Sequence, residues 1–163
     1  MTKDAYPVTP AVRFLREKKI SFSPHLYDYE EHGGTERGAA ELHLPEHVLI
    51  KTIVMQTDQK KVFLVLMHGD CEISTKRLAR IMNVKSVEPC DERTAGRNTG
   101  YQFGGTSPFG TRMPLPVYVE KSIFDLASIL INGGKRGFLV EIDPRILREI
   151  LPVTEVEVAI PEN

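Results

Sequence analysis

The sequence has 163 residues, of which 41% are hydrophobic, so we expect one domain over residues 1–163 with a sizeable core. Its 21 Lys and Arg residues against 22 Asp and Glu residues give a formal net charge of −1, which excludes binding of a long nucleic acid through a global positive field. No secretory signal pattern, no apolar run of about 18 residues and no CxxC pattern occur, so we expect a cytoplasmic protein without membrane contact, with Cys71 and Cys90 as free thiols.

Short helical and extended patterns alternate along the chain. The predicted elements are, in order, helix 10–19, extended segment 20–30, helix 35–42, strands 48–55 and 62–68 as a hairpin, helix 75–82, a helix from Asp91, strands 117–120, 127–131 and 137–142, helix 144–151 and strand 153–160. Helix starts are marked by Thr9-Pro10, Thr35, Ser74 or Thr75, and Asp143-Pro144. This order predicts an α+β domain with a mixed, mostly antiparallel sheet of six or seven strands.

The extended segment at residues 20–30 has one polar and aromatic face. Alternation places His25, Tyr27 and Tyr29 on this face, and it places Phe22, Pro24 and Leu26 on the other.

Lys51 is the charged residue in the apolar run VLIKTIVM at residues 48–55. Two interpretations are open. Its amine could reach water from a sheet edge while the stem covers apolar surface, or it could present an ammonium group to an anion.

Two glycine-rich segments allow a similar pair of interpretations. Residues 104–110 are either a tight connection or a nest of backbone N–H donors for an oxyanion or phosphate. Residues 132–137 are either a β-hairpin turn with two solvated cations or a ligand contact.

Standard catalytic and metal-binding motifs are incomplete in this sequence. The segment around Ser107 lacks the second glycine of a G-x-S-x-G nucleophile elbow, and residues 129–136 lack the first glycine and the Ser or Thr of a phosphate loop. His43 and His47 have i,i+4 spacing, but Pro45 prevents a shared helix face. We therefore expect neither a serine hydrolase nor an NTPase, and no metal ion or cofactor.

Five segments carry a more specific signal together than separately. They are TPAVRFL at residues 9–15, HLYDYE at 25–30, Lys51-Thr52 after its apolar approach, GYQFGGTSPFG at 100–110 and GGKRGFLVEIDPRIL at 133–147. In this order and spacing they resemble the YbaK/ProRS-associated editing domain family, and the bacterial YbaK subgroup most closely. The resemblance implies a free-standing editing domain with a barrel-like sheet flanked by helices, which clears mischarged Cys-tRNA(Pro).

The resemblance also implies which residues form the substrate pocket. Lys51, Gly104 and Gly105 would be the catalytic groups. Lys51 would hold the 3′ end of the aminoacylated tRNA(Pro), and the two glycines would provide backbone contacts at the aminoacyl carbonyl. Tyr27 would pack against the aminoacyl group or the terminal adenine. The other expected contacts are Thr52, Thr106, Ser107, Pro108, Asn132, Lys135 and Arg136.

In the YbaK subgroup the thiol of the substrate attacks its own ester, which agrees with the incomplete motifs of this chain. Asn132 departs from the small Ser or Ala that the subgroup often has, and it could assist a bound water and widen the specificity. Two alternatives follow: a deacylase of Ala-tRNA(Pro) that uses water, and a non-catalytic accessory that holds a tRNA end. Prolyl-tRNA synthetase is a candidate partner in each case.

Overall fold

The computed structural model describes residues 5–162, in which five helices and ten strands alternate irregularly. The helices are α1 (Pro10–Glu17), α2 (Gly34–Leu42), α3 (Thr75–Met82), α4 (Glu92–Thr99) and α5 (Leu147–Ile150). The strands are β1 (Ser23–Leu26), β2 (Leu49–Thr57), β3 (Val62–His68), β4 (Cys71–Ile73), β5 (Val87–Pro89), β6 (Val117–Glu120), β7 (Ile129–Lys135), β8 (Phe138–Ile142), β9 (Val153–Val156) and β10 (Ala159–Pro161). Short 3-10 helices occur at Glu46–Val48, Lys121–Asp125 and Pro144–Ile146.

Eight strands form one mixed sheet, and β4 and β10 pair separately. The order in the large sheet is β1-β8-β7-β2-β3-β6-β9, and β5 pairs with the edge of β2. The pairs β2–β7, β3–β6 and β6–β9 are parallel, and the other strand pairs of residues 5–162 are antiparallel. The predicted α+β class with a mixed sheet is confirmed. The strand number is higher than predicted, because three-residue strands such as β5 leave no periodic pattern.

Several local predictions are confirmed. β2 and β3 form the predicted hairpin, with Lys51 opposite Met67. Thr9 and Ser74 cap α1 and α3 as predicted, and Asp91, where a helix was expected to begin, is the residue that caps α4; each side-chain oxygen accepts the backbone N–H of the residue three positions later. A cap of this kind contributes about 1 kcal/mol to stability.

Other predicted boundaries were wrong. α1 ends at residue 17 rather than 19, and only Ser23–Leu26 of the extended segment is a strand. Thr35 does not cap α2, because the helix already begins at Gly34 and the Thr35 hydroxyl donates to Glu46 Oε2 and to the Gly69 carbonyl. The first turn of the helix predicted at 144–151 is a 3-10 helix.

The β-hairpin predicted at residues 132–137 is present, but its turn is shorter than predicted, because β7 continues to Lys135 and the chain reverses at Arg136 and Gly137. The strand predicted at residues 153–160 divides into β9 and β10, which pair with β6 and β4 in different sheets. This division depends on pairing with distant strands, which local sequence patterns do not contain.

The side chains of β2 alternate between the two faces of the large sheet. Ile50 and Val54 pack into the core that α1, α4 and α5 cover. On the other face Leu49 packs under α2 and Met55 packs against α3. Burying each such side chain fully stabilises the fold by about 1.5–3 kcal/mol. The side chain of Lys51 lies on the same face of the sheet as those of Leu49 and Met55, so it stands between the two apolar clusters to which these residues belong.

Among residues 5–162 no helix combines the length and the apolar character needed to cross a bilayer. Cys71 and Cys90 are both buried and carry free thiols.

Candidate active site

β2 lacks a strand partner along the middle of one edge. β7 pairs with the first two residues of β2, and β5 pairs with the last three. Residues 51–54 lie between these two pairings. On the edge that β7 and β5 share they pair with no strand of the described chain, whereas on the opposite edge they pair with β3. The ladder with β7 stops where β7 becomes irregular, between Asn132 and Lys135. The result is a gap in the sheet.

The backbone of Thr52 faces this gap. The N–H and C=O groups of one strand residue point to the same edge, and the edge alternates from residue to residue. The Val54 carbonyl accepts from Cys90 N at 2.9 Å on the gap edge, so Thr52, two residues earlier, points the same way. The buried Thr52 hydroxyl oxygen also has no hydrogen-bond partner within residues 5–162. A buried polar group without a partner is rare enough to suggest that a ligand completes it.

A cavity of about 560 Å³ opens at the gap. This volume falls within the roughly 300–1,000 Å³ typical of small-molecule sites. Residues from both faces of β2 contribute to it, together with the loop after α4 and the β7–β8 hairpin. The cavity brings together these predicted site residues: Tyr27, Lys51, Thr52, Gly104, Thr106, Asn132 and Arg136.

The remaining predicted site residues, Gly105, Ser107, Pro108 and Lys135, do not line this cavity. The Gly105 N–H donates to the Gln102 carbonyl at 2.9 Å, and a Cβ atom on Gly105 would lie 2.9 Å from Arg136 N. The Ser107 hydroxyl is buried and accepts from Phe109 N at 3.1 Å. Gly105 and Ser107 therefore shape and pack the loop, Lys135 is exposed at the end of β7, and the Gly105 N–H is not available to a substrate oxyanion.

Two other backbone donors of the loop are available. The N–H groups of Gly104 and Thr106 have no acceptor within residues 5–162, and both residues line the cavity. Gly104 has φ +86°, a left-handed conformation that glycine adopts without strain. The pair of donors on which an oxyanion could rest is therefore Gly104 and Thr106 rather than Gly104 and Gly105.

The amine of Lys51 is already engaged inside the protein. Its Nζ atom donates to the Cys71 carbonyl at 2.5 Å and lies 3.6 Å from Glu162 Oε2. The two side chains are 25% and 42% exposed, so solvent screens the ion pair, and such pairs contribute about 0–1 kcal/mol. Lys51 lines the cavity, whereas Cys71 and Glu162, the partners of its amine, lie outside the cavity lining. An anion in the cavity would have to displace Glu162, and the weakness of the exposed pair keeps that cost small.

Asn132 joins the glycine loop to the β7–β8 hairpin. Its Oδ1 accepts from Gly134 N at 2.6 Å and from Lys135 N at 3.1 Å, and these local bonds produce the irregularity in β7. Its Nδ2 donates to the Gly104 carbonyl at 3.1 Å. One side-chain N–H is left for the water-holding role expected from the sequence. Asn132 acts first as a positioning residue for Gly104, because it fixes the peptide beside that donor.

Arg136 and two aromatic residues form the rim of the cavity. Arg136 Nε donates to the Phe103 carbonyl at 2.8 Å, and its guanidinium lies 5.0 Å from the centre of the Tyr29 ring. Phe103 is 41% exposed, which is unusual for a large apolar side chain. An exposed aromatic ring at a cavity rim can stack on a nucleobase. Sequence reasoning missed both rings, although Tyr29 lies on the predicted polar-aromatic face; nothing in the sequence marks Phe103 as exposed.

No activated nucleophile of the chain itself lies in the cavity among the described residues. Cys90 lines it, but burial raises the pKa of the Cys90 thiol, which keeps it protonated and unreactive. Burial likewise raises the pKa of Tyr27. A Ser–His pair does exist, with Ser122 Oγ 2.7 Å from His68 Nε2, yet His68 is fully buried away from the cavity. The site can hold and polarise a ligand, and the attacking group must come from elsewhere.

Residues 30–150 match the model of the aminoacyl-tRNA editing domain family. EbsC of Enterococcus faecalis, whose name proposes a Cys-tRNA(Pro)/Cys-tRNA(Cys) deacylase, is 26% identical over 140 residues, which are 85% of each chain. The proline–tRNA ligase of Brachyspira hyodysenteriae is 30% identical over 86 residues, which are 53% of this chain but 15% of the ligase.

Solved structures share the fold at low sequence identity. The hypothetical protein APE2540 has a TM-score of 0.84 and 18% identity, with 93% of this chain and 99% of that one covered. A structure described as a proposed trans-editing enzyme for prolyl-tRNA synthetase has a TM-score of 0.79 and 16% identity, with 96% and 100% covered.

Proposed function

The chain belongs to the aminoacyl-tRNA editing domain family, and on this premise we propose that it is an aminoacyl-tRNA deacylase acting in trans on Cys-tRNA(Pro). The observation that carries the proposal is that one cavity is lined both by Lys51, whose amine pairs with the Glu162 carboxylate, and by Gly104 and Thr106, whose N–H groups have no acceptor within residues 5–162. The name of EbsC and the similarity to proline–tRNA ligases support cysteine and tRNA(Pro) as the substrate parts.

We assign the tRNA end to the Lys51 side of the cavity. A terminal phosphate would displace the Glu162 carboxylate from the Lys51 amine. The phosphate would then pair with the compact positive charge of that amine. The ribose hydroxyl groups would pair with the unpartnered Thr52 hydroxyl and with the backbone groups that face the gap. Phe103, at the exposed rim, would stack on the terminal adenine, a contact worth about 1–3 kcal/mol per base.

The aminoacyl ester would lie against the glycine loop. As the ester is attacked, its carbonyl oxygen becomes negative, and the Gly104 and Thr106 N–H groups would stabilise that charge. The cysteine sulfur of the substrate forms a bond to the carbonyl carbon, and the bond from that carbon to the ribose oxygen breaks. The thiol proton passes to the ribose oxygen, so the products are a cyclic thiolactone and tRNA with a free hydroxyl. Because the attack is intramolecular, the protein accelerates it mainly by positioning.

The substrate panel that tests this proposal contains Cys-tRNA(Pro), Ser-tRNA(Pro), Ala-tRNA(Pro) and Pro-tRNA(Pro). Seryl ester is the matched control, since it differs from cysteinyl ester by oxygen in place of sulfur. We expect ester loss from Cys-tRNA(Pro) to be at least about 100-fold faster than from the other three, because only it contains a good internal nucleophile. Acid-gel separation of charged and free tRNA measures the loss. Equal rates for the cysteinyl and seryl esters, or a mobility shift of the complex without ester loss, would refute the proposal.

The Glu162→Gln substitution is expected to improve substrate capture. The neutral amide no longer competes with a phosphate for Lys51. An exposed ion pair contributes up to about 1 kcal/mol, so we expect KM to fall by roughly two- to fivefold while kcat stays unchanged. Glu157→Gln is the control, because it removes the same charge from an exposed position in the same segment. Steady-state kinetics with Cys-tRNA(Pro) compares the two. If both variants lower KM equally, the effect comes from net charge and not from competition at Lys51.

A further inference from the structure

A second group of reactive side chains lies outside the cavity. His47, in the 3-10 helix before β2, meets Asp70 and Cys71, which lead into β4, and their ligand atoms all lie within 4.8 Å of one another. His47 Nδ1 is 2.8 Å from Asp70 Oδ1, and Cys71 Sγ is 3.6 Å from the same oxygen. None of the three lines the candidate active site, and the proposed deacylation uses none of them.

We propose that His47, Asp70 and Cys71 form a zinc-binding site. One nitrogen, one oxygen and one sulfur ligand are the set that Zn²⁺, a borderline-soft ion, accepts. Zn–N and Zn–O distances of about 2.0–2.1 Å and a Zn–S distance of about 2.3 Å place tetrahedral ligand atoms roughly 3.3–3.6 Å apart. The Asp70–Cys71 distance already fits this value, and the His47–Asp70 distance must open by about half an ångström, which a rotation of two half-exposed side chains allows.

The surrounding structure supports the His47 ring and fixes the backbone of Asp70 and Cys71. The ring of His68 stacks on the His47 ring at a centroid distance of 3.7 Å, and His68 Nδ1 is 2.8 Å from the His47 carbonyl. The pairing of β4 with β10 fixes the backbone of Cys71, and the Asp70 carbonyl accepts from Glu162 N at 3.0 Å. Ligands that are held before the ion arrives lose little conformational freedom on binding.

Charge and access also suit a divalent ion. An aspartate, a thiolate and a neutral imidazole balance the two positive charges of Zn²⁺, so the site is neutral although the Lys51 amine touches the Cys71 carbonyl. Burial and the neighbouring Asp70 carboxylate raise the pKa of the Cys71 thiol to about 11, so the ion must displace the thiol proton, which is released on binding. The side chains of His47 and Asp70 are 43% and 42% exposed, which leaves the fourth position open to water.

This site was not predicted from the sequence. The expectation that the chain binds no metal ion rested on the histidine pair His43 and His47. That expectation considers His47 only together with His43, four residues earlier, and Pro45 between them prevents a shared helix face. In the structure His43 is the C-cap of α2, and the partners of His47 come from residues more than twenty positions later.

Cobalt titration of the reduced full-length chain tests the proposal, because Co²⁺ bound to a thiolate has a sulfur-to-metal charge-transfer band in the near ultraviolet. We expect the band to saturate at one equivalent of Co²⁺ and to disappear when Zn²⁺ is added. Cys71→Ser should abolish the band, and His47→Ala and Asp70→Asn should each weaken affinity by about tenfold or more.

Matched controls separate this site from other thiols and histidines. Cys90→Ser and His43→Ala are expected to leave the band and the affinity unchanged, since neither residue belongs to the cluster. The proposal is overturned if the parent shows no band, if Cys71→Ser keeps it, or if Cys90→Ser loses it. Asp70→Asn, at a half-exposed position, keeps the test decisive should Cys71→Ser fail to fold. Because binding is measured without tRNA, its failure leaves the proposed deacylase unaffected.

Discussion

Lys51→Ala is expected to lower kcat/KM for the deacylation of Cys-tRNA(Pro) by roughly 10- to 100-fold, mostly through a higher KM. A hydrogen bond to a charged group contributes about 1.5–3 kcal/mol, and the amine would make this contact equally in the bound and reacting states. The ground state and the transition state both lose it, so substrate capture suffers more than the chemical step. Steady-state kinetics with charged tRNA separates the two parameters.

Two further variants decide what the loss means. Lys61→Ala removes the same charge from the exposed hairpin turn between β2 and β3, and we expect kinetics equal to those of the parent. Lys51→Arg keeps the charge on a longer planar group and should recover part of the capture. If Lys51→Ala behaves like Lys61→Ala, the lysine only covers apolar surface with its stem, and the anion-holding role is wrong.

The parts of the fold that depend on neighbours in sequence could be predicted. The caps at Thr9, Ser74 and Asp91 and the hairpin around Lys51 follow from hydrogen bonds or pairing within a few residues. The division of residues 153–160 into two strands does not, because the partners of those strands lie far away in the chain.

The candidate site shows the same limit more clearly. Lys51 and Gly104 stand out in the sequence through an isolated charge and a glycine pair, and both line the cavity. The sequence does not show the gap that creates the cavity. The gap forms because β7 stops pairing with β2 just before the irregularity at Asn132. The sequence also cannot show that the Gly105 N–H is used by Gln102.

Asn132 connects these two levels of structure. Its Oδ1 accepts from Gly134 N and Lys135 N at the irregularity of β7, one residue after β7 stops pairing with β2. Its Nδ2 donates to the Gly104 carbonyl, so the same side chain links the strand at the gap to the glycine loop. Because both ends of the amide group are used inside the protein, a larger residue fits at this position as part of the cavity lining.

Gly104→Ala is expected to lower kcat by about 10²–10³-fold, the loss seen when one oxyanion donor is removed. A Cβ atom at this position would lie 2.5 Å from Tyr29 Oη, and the φ of +86° is unfavourable for alanine. The Tyr29 ring can turn away at the cost of its contact with the Arg136 guanidinium, but the left-handed backbone at residue 104 cannot relax without a shift of the loop. Such a shift would move the Gly104 N–H away from the proposed position of the oxyanion.

Gly96→Ala is the matched control for this substitution. Gly96 lies inside α4, its added Cβ atom would meet nothing closer than 3.8 Å, and alanine favours a helix by up to about 1 kcal/mol. We expect a slightly raised Tm and an unchanged kcat for Gly96→Ala, against a lowered kcat at saturating substrate for a still folded Gly104→Ala. A Gly104→Ala protein with kcat within about twofold of the parent would mean that the oxyanion rests on other groups. Thr106 N–H, the second free donor of the loop, would then be the first to test.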